Sequence, residues 1–422
     1  MRNLALLLAL AGAALPANGA QRITVQELDQ MLSNAHGKSD VKLSKDLGEL
    51  ELKERASPAR LSHWEAELHG TKARQALTAL VDASAFLDPP AEDIPAIPPP
   101  DMPIQRQIMA RAVDYVGEAI HRLPNFFATR DTTRFSDTPI GVYYALTVSA
   151  RYQPLHFIDR SSATVLYRDG NEVVDAAVAK NKKPSRFGQG MSTKGEFGPI
   201  LEVVILDAAH GTSSWSRWEQ NADGMQAVFR FVVSREKSHY EVKWCCVADK
   251  SADNQANFKE VDEISGYHGE IAVDPESGAI LRLTVEADLL PGDPVTRAAI
   301  TVDYGPVEIG GKNYMCPAKS VSLSVSPDLI STESEPSIWN LEDAMKTWLN
   351  DVHYDKYHLF RAETRILTGD IPGTDEGVSA FRTEQATAAV LPTPDNGAMQ
   401  TAAAPRGAPE KGAGAAAFQV KQ

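Results

Sequence analysis

Two periods divide this chain. Before about residue 124 the apolar positions recur every three or four residues, and from about Tyr143 they alternate, so helices give way to strands. Thr24-Val25-Gln26-Glu27 fits a capping box and is followed by Leu28, Met31, Leu32 and Ala35 at helical spacing, with Gly37 as the stop. Asp40 is expected to cap a second helix carrying Val41, Leu43, Leu47, Leu50 and Leu52. Ser57-Pro58 starts a third, with proline at the first helical position, where its missing amide costs nothing. Gly70 closes it, and Lys72 to Leu87 makes a fourth. Four short amphipathic helices in residues 21–88 predict a small bundle, separate from the rest of the chain.

The stretch from Asp88 to Pro103 holds seven prolines, so residues 89–102 read as a stiff, extended linker. Pro103 opens a long helix whose Ile104, Ile108, Ala112, Val116 and Ile120 form one apolar stripe ending before Pro124, suited to lie on a sheet. Strand patterns then occur at Leu155–Ile158, Thr164–Tyr167, Ser214–Glu219, Val228–Ser234 and Tyr240–Val247. Three further hairpin signals are Arg168-Asp169-Gly170-Asn171, the turn at residues 274–278 between Gly269–Val273 and Ile280–Ala287, and Ile309-Gly310-Gly311-Lys312. A short helix interrupts at residues 198–209, another is expected at Ile338–Leu349, and His358–Leu367 is a last strand. The pattern predicts an α+β chain: an N-terminal bundle, then a large curved antiparallel sheet over residues 103–370 with one long and one short helix packed on it. Residues 371–422, rich in Ala, Pro, Gly, Thr and Gln, bury too little to order themselves and are expected to be disordered.

The first residues change the picture of location. Arg2, the apolar run Leu4–Leu15 and the small residues up to Ala20 have the layout of a secretory signal peptide, residues 1–20, too short to span a bilayer. This predicts export to the periplasm or the medium. No later segment has the apolar length of a membrane helix, so no transmembrane anchor is expected. Net charge is −14, and −15 once Arg2 is removed with no acid. A surface that acidic repels phosphate backbones, which argues against nucleic acid as a partner. The densest basic stretch, Lys180–Arg186, is interrupted by Pro184 and reads as a solvated loop.

Candidate chemistry is sparse. Of the three cysteines, Cys245 and Cys246 are adjacent and would face opposite ways on a strand, so only one of them can meet Cys316; Cys246–Cys316 is the candidate disulfide. No spacing suits a metal, a cofactor or a hydrolase nucleophile, and no catalytic residue is assigned. His353 and His358 fall on opposite faces of a strand; His268 and Glu270 share one, as residues of an ordinary sheet surface do. The acidic run Glu260, Asp262 and Glu263 reads as a solvated loop. The better candidates are aromatic: Trp215, Trp218, Phe229, Phe231 and Trp244, with Tyr240, can line a concave ligand surface, the plainer account being a core between sheet and helix.

The order of long helix, hairpin meander and intervening helix, around the central segment Gly269-Glu270-Ile271-Ala272-Val273-Asp274-Pro275-Glu276-Ser277-Gly278-Ala279-Ile280-Leu281-Arg282, resembles the LolA-like half-barrels of bacterial outer-membrane lipoprotein carriers and sensors over about residues 103–367. The chain is also similar to a group of uncharacterised exported bacterial proteins through Ser57-Pro58-Ala59-Arg60-Leu61 and Tyr354-Asp355-Lys356-Tyr357-His358-Leu359-Phe360. The resemblance implies a non-enzymatic protein that holds a lipid or lipoprotein acyl chain on a concave sheet under a helical lid. The bundle and tail, which that family lacks, leave a second expectation: a scaffold with a filled sheet–helix core that meets an envelope protein partner.

Overall fold

The computed structural model describes residues 20–360 apart from 36, 139–152, 174–189, 192, 194, 222–223, 249–257, 294 and 328–344. The expected signal peptide (but for Ala20), the basic stretch at 180–186 and the tail at 371–422 lie outside the described residues.

The N-terminal segment runs β1 (Gln21–Ile23), α1 (Val25–Ser33), α2 (Asp40–Gly48), β2 (Leu50–Leu52), α3 (Pro58–Glu67) and α4 (Thr71–Ala83). Thr24 makes both halves of the capping box on α1, and Ser57 accepts from Arg60 N with Pro58 in the first turn of α3. Two local expectations need correcting. Ser39, not Asp40, caps α2; the Asp40 carboxylate instead accepts from the backbone of Lys72 and Ala73 at 3.3 and 2.7 Å and caps α4. Gly70 at that cap has no side chain to do so, and a Cβ there would meet Asp40 Oδ1 at 2.0 Å. Leu50 and Leu52 belong to β2, which pairs in parallel with β1, because α2 has already ended at Gly48. Val25, Leu28, Leu47, Leu52, Trp64 and Leu77 are buried in a core of the bundle's own, and Trp64 Nε1 donates to Asp29.

The proline-rich stretch is laid against the sheet rather than left as a spacer: Trp218 Nε1 donates to Pro98 O and Gln105 Nε2 to Pro100 O. Asp101 then caps α5 (Met102–Arg122). Next come β3 (Phe126–Thr138), β4 (Gln153–Arg168), β5 (Asn171–Val173), β6 (Gly190–Met191), α6 (Pro199–His210), β7 (Thr212–Asn221), β8 (Gly224–Val233), β9 (Glu241–Ala248) and β10 (Phe258–Ile264). The described chain ends with β11 (Gly266–Val273), β12 (Ile280–Asp288), β13 (Arg297–Ile309), β14 (Lys312–Pro327) and β15 (Met345–Leu359).

The fold is α+β, built on an open, ten-stranded antiparallel sheet of order β5-β4-β3-β15-β14-β13-β12-β11-β8-β7. The hairpin signals correspond to turns. Asp169 and Gly170 at β4–β5 and Gly310 and Gly311 at β13–β14 all have positive φ, the backbone that a two-residue turn matching strand twist requires. The predicted strand at 240–247 forms as β9 but leaves the meander, pairing with β6 and β10 in a separate three-stranded sheet. The acidic run 260–263 lies on β10, not in a loop. Met345–Leu349, expected as the end of a helix, is the start of β15; residues 338–344 lie outside the described residues.

Alternation gives the sheet two different faces. One carries Phe229, Phe231, Ile271, Leu283, Val285 and Ile300, packed under Ile108, Met109, Ala112 and Val116 of α5 and Val204, Ile205 and Ala208 of α6. Ile104, first of the predicted stripe, is exposed near the helix start. The other face carries Arg230, Glu270, Arg282, Asp303, Lys319, Asp351 and His353, and the N-terminal bundle sits on it. There Ala79 and Ala83 of α4 pack with Phe135, Val321, Leu323 and Leu349, while Arg55 reaches Glu219 at 2.8 Å and Asp82 reaches Lys319 at 2.6 Å. Bundle and sheet thus form one compact unit, within residues 1–360.

Candidate cavity between the short helix and the small sheet

An opening with a largely apolar lining lies between α6 and β9. Nearly every turn of α6 is apolar, Ile200, Leu201, Val203, Val204, Ile205 and Ala208, so one face packs on the sheet while Val203 is left on the flank. Alternation on β9 sends Val242 and Trp244 inward and Glu241 outward. The two elements enclose a cavity of about 230 Å³ whose apolar wall is Met191, Pro199, Ile200, Val203, Val242 and Ile300. Thr193, His239, Glu241 and Lys243 supply its polar side.

A buried carboxylate holds this corner together. Asp207 on α6 is fully enclosed and accepts from His239 N at 2.8 Å and the Tyr267 hydroxyl at 2.9 Å, with His239 Nδ1 at 2.6 Å from its other oxygen. Burial, and then Asp207, push the Tyr267 hydroxyl far above its usual range. The imidazole itself is largely exposed, so the contact orients it with Nε2 left for another partner. Lys243 is held by Asp262 at 2.7 Å and Glu241 at 3.0 Å, and the hydrogen bonds to Asp262 and Glu241 raise its proton affinity. Thr193 ties the cavity to a second buried group: Arg130 donates to its carbonyl and hydroxyl and lies 3.8 Å from Glu196. Burial, and then Glu196, push Glu172 up to about 7. The lining residues include no serine or cysteine, and the Thr193 hydroxyl accepts from Arg130, so the arrangement suits binding rather than nucleophilic attack.

None of the five aromatic candidates lines this cavity. Phe229, Phe231 and Trp244 are at most 2% exposed and belong to the core under α5 and α6. Trp215 and Trp218, partly buried, pack edge to face at 4.8 Å, and Trp215 meets Phe229 at 5.3 Å. Tyr240 alone among the rings named from sequence borders the cavity, its ring 5.1 Å from that of Tyr267.

The expected Cys246–Cys316 bridge is not formed. Cys316 is a free thiol on β14, opposite Gly305, and burial pushes it up to about 12. Cys245, on the separate small sheet, is the disulfide-bonded cysteine, and the Cys246 side chain lies outside the described residues. The histidines do not converge: His353 Nε2 meets Asp351 at 3.1 Å, while His268 Nδ1 meets Asp288 at 2.7 Å and leaves Glu270 to Arg217 and Arg230. Among the described residues no three His, Cys, Asp or Glu side chains are grouped to hold a metal, and no helix is long and apolar enough to cross a membrane. Comparison with known family models, curated proteins and solved structures gives no match to this chain.

Proposed function

We propose that the protein is an exported, non-enzymatic binding protein that takes the acyl end of an amphiphile into the cavity between α6 and β9, in the manner of a LolA-like carrier. The observation that supports this is the cavity's apolar wall, closed by Met191, Val203, Val242 and Ile300, beside a polar side that carries His239 and Lys243. An acyl chain fits the wall and a polar headgroup the side. At about 230 Å³ the cavity is smaller than most pockets for drug-sized ligands, so it accommodates a segment of chain rather than a whole lipid.

The test is a chain-length series. Each methylene buried contributes about 0.8 kcal/mol, so two added carbons strengthen binding about tenfold until the cavity is full. Fatty acids from four to fourteen carbons are titrated into the full chain by calorimetry, alongside native mass spectrometry and organic extraction of the purified protein. Affinity that climbs and then levels off, and collapses in Val203→Trp, supports the carrier. No uptake at any length, or uptake indifferent to length and to Val203→Trp, overturns it. That result favours the scaffold reading, for which the packed core beneath α5 speaks.

A further inference from the structure

The interface between the bundle and the sheet contains a second cavity, of about 240 Å³, with a different character. Arg55, Asp82, Arg282, Asp303, Lys319 and His353 reach it, and Leu61, Val81 and Val321 form an apolar wall. Every cation around it is already matched. Arg55 and Arg282 share Glu219 at 2.8 and 3.0 Å, Lys319 holds Asp82 at 2.6 Å, and His353 meets Asp351 at 3.1 Å. The hydroxyl of Thr301 is taken up with Thr284, and Glu65 accepts from Thr78. Asp303 is the exception. It lies midway across the sheet on β13, flanked on its own face by Arg282 and Lys319, and makes no hydrogen bond or ion pair among the described residues. Asp82, itself only 3% exposed, also keeps one oxygen, Oδ2, without a partner.

The one polar side chain of the lining without a partner is thus an acceptor, and an acceptor is complementary to a donor. We propose that this cavity binds a small organic ammonium ion, its N–H groups on Asp303 and its carbon skeleton against Leu61, Val81 and Val321. An anion would meet cations that already hold Glu219 and Asp82 and would be repelled by Asp303. A divalent metal needs several oxygen ligands at once, whereas one free carboxylate is present. The apolar wall distinguishes an organic cation from a bare alkali ion.

The experiment titrates ethylammonium, n-butylammonium and ethanolammonium chlorides into the full chain, with sodium propionate and n-propanol as controls, followed by calorimetry and by 13C-methyl shifts of Leu61, Val81 and Val321. The ammonium probes are expected to bind and the controls not. Asp303→Asn, which keeps the shape and removes the charge, is expected to weaken binding at least tenfold, the usual weight of a charge-assisted hydrogen bond. Ser62→Phe, placed at the cavity from the bundle side, is expected to abolish binding, which keeps the test open if Asp303→Asn fails to fold. Absence of ammonium binding to the wild type, binding that survives both substitutions, or equal binding of propionate overturns the proposal.

Discussion

Replacing Glu219 by Gln tests the electrostatics under the bundle. Glu219 is 8% exposed and accepts from three guanidinium groups: Arg55 at 2.8 Å, Arg217 with its closest nitrogen at 2.6 Å, and Arg282 at 3.0 Å. Burial alone would raise its carboxyl, but Arg282 and Arg55 outweigh it and hold the group well below the usual carboxylate range. Arg217 retains Glu270 after the substitution, whereas Arg55 and Arg282 lose the carboxylate they share in a largely buried site. Breaking a buried pair from one side costs about 3–5 kcal/mol, and Gln can still accept one hydrogen bond, so a loss of about 3 kcal/mol is expected. Glu286→Gln is the internal control: its partner Arg297 is more than a third exposed, which puts that pair below about 1 kcal/mol. Urea unfolding followed by far-UV circular dichroism and by the fluorescence of Trp215 and Trp218 reads both. Hydrogen exchange at residues 21–88 reports whether the loss is felt where Arg55 attaches the bundle. A Glu219→Gln loss no greater than that of Glu286→Gln would refute the reasoning and show that the network is screened. The network is not thereby a net source of stability, because an apolar replacement of the whole set could do as well.

Two other outcomes are expected. Glu172 sits at about 7 in the folded protein against 4.5 for a free carboxyl, so its contribution is complete below pH 4.5 and is lost as pH rises through 7, by about 3 kcal/mol at most. Asp82, also pushed up to about 7 by burial, acts with the same sign; melting temperature measured from pH 5 to 8 should therefore fall, less steeply in Glu172→Gln, and an unaltered slope in that variant would count against the assignment. Gly269→Ala places a Cβ 1.9 Å from Thr284 O and 2.9 Å from the Phe231 ring, which should cost about 3 kcal/mol or more in thermal unfolding; a loss under about 1 kcal/mol would mean that the strands separate easily there.

Local structure was legible where a residue type carries its own geometry. The Thr24 and Ser57 caps, the Asp169-Gly170 and Gly310-Gly311 turns and the β11–β12 hairpin all arise from side-chain acceptors or backbone freedom within a few residues. Asp40 shows the limit of that reasoning, since a capping residue does not announce which helix it caps. Alternation marked β9 as a strand but said nothing about its partner, and the helix-favouring Leu341-Glu342-Asp343-Ala344 masked the strand beginning at Met345. The candidate sites were the least legible. The Asp82–Lys319 contact joins residues 237 positions apart, and the apolar cavity arises because α6 is greasy on more faces than the sheet can cover. An aromatic count pointed instead at Phe229, Phe231 and Trp244, which the core absorbs. That α6 is apolar nearly all round was the one available signal of the cavity.

The position of β15 has a consequence for how the chain reaches this structure. The last described strand does not lie at an edge; it pairs with β14 on one side and β3 on the other. Until Met345–Leu359 is in place, β3, β4 and β5 have no link to the strands from β14 to β7, and the sheet exists as two halves. The β3–β15 register joins Phe126 to Leu359, a loop of more than two hundred residues whose closure must be met before the two halves gain from each other. Joining of the two halves is therefore gated by the last described strand, and any fragment stopping before β15 carries two unfinished sheet edges open to pairing with other molecules.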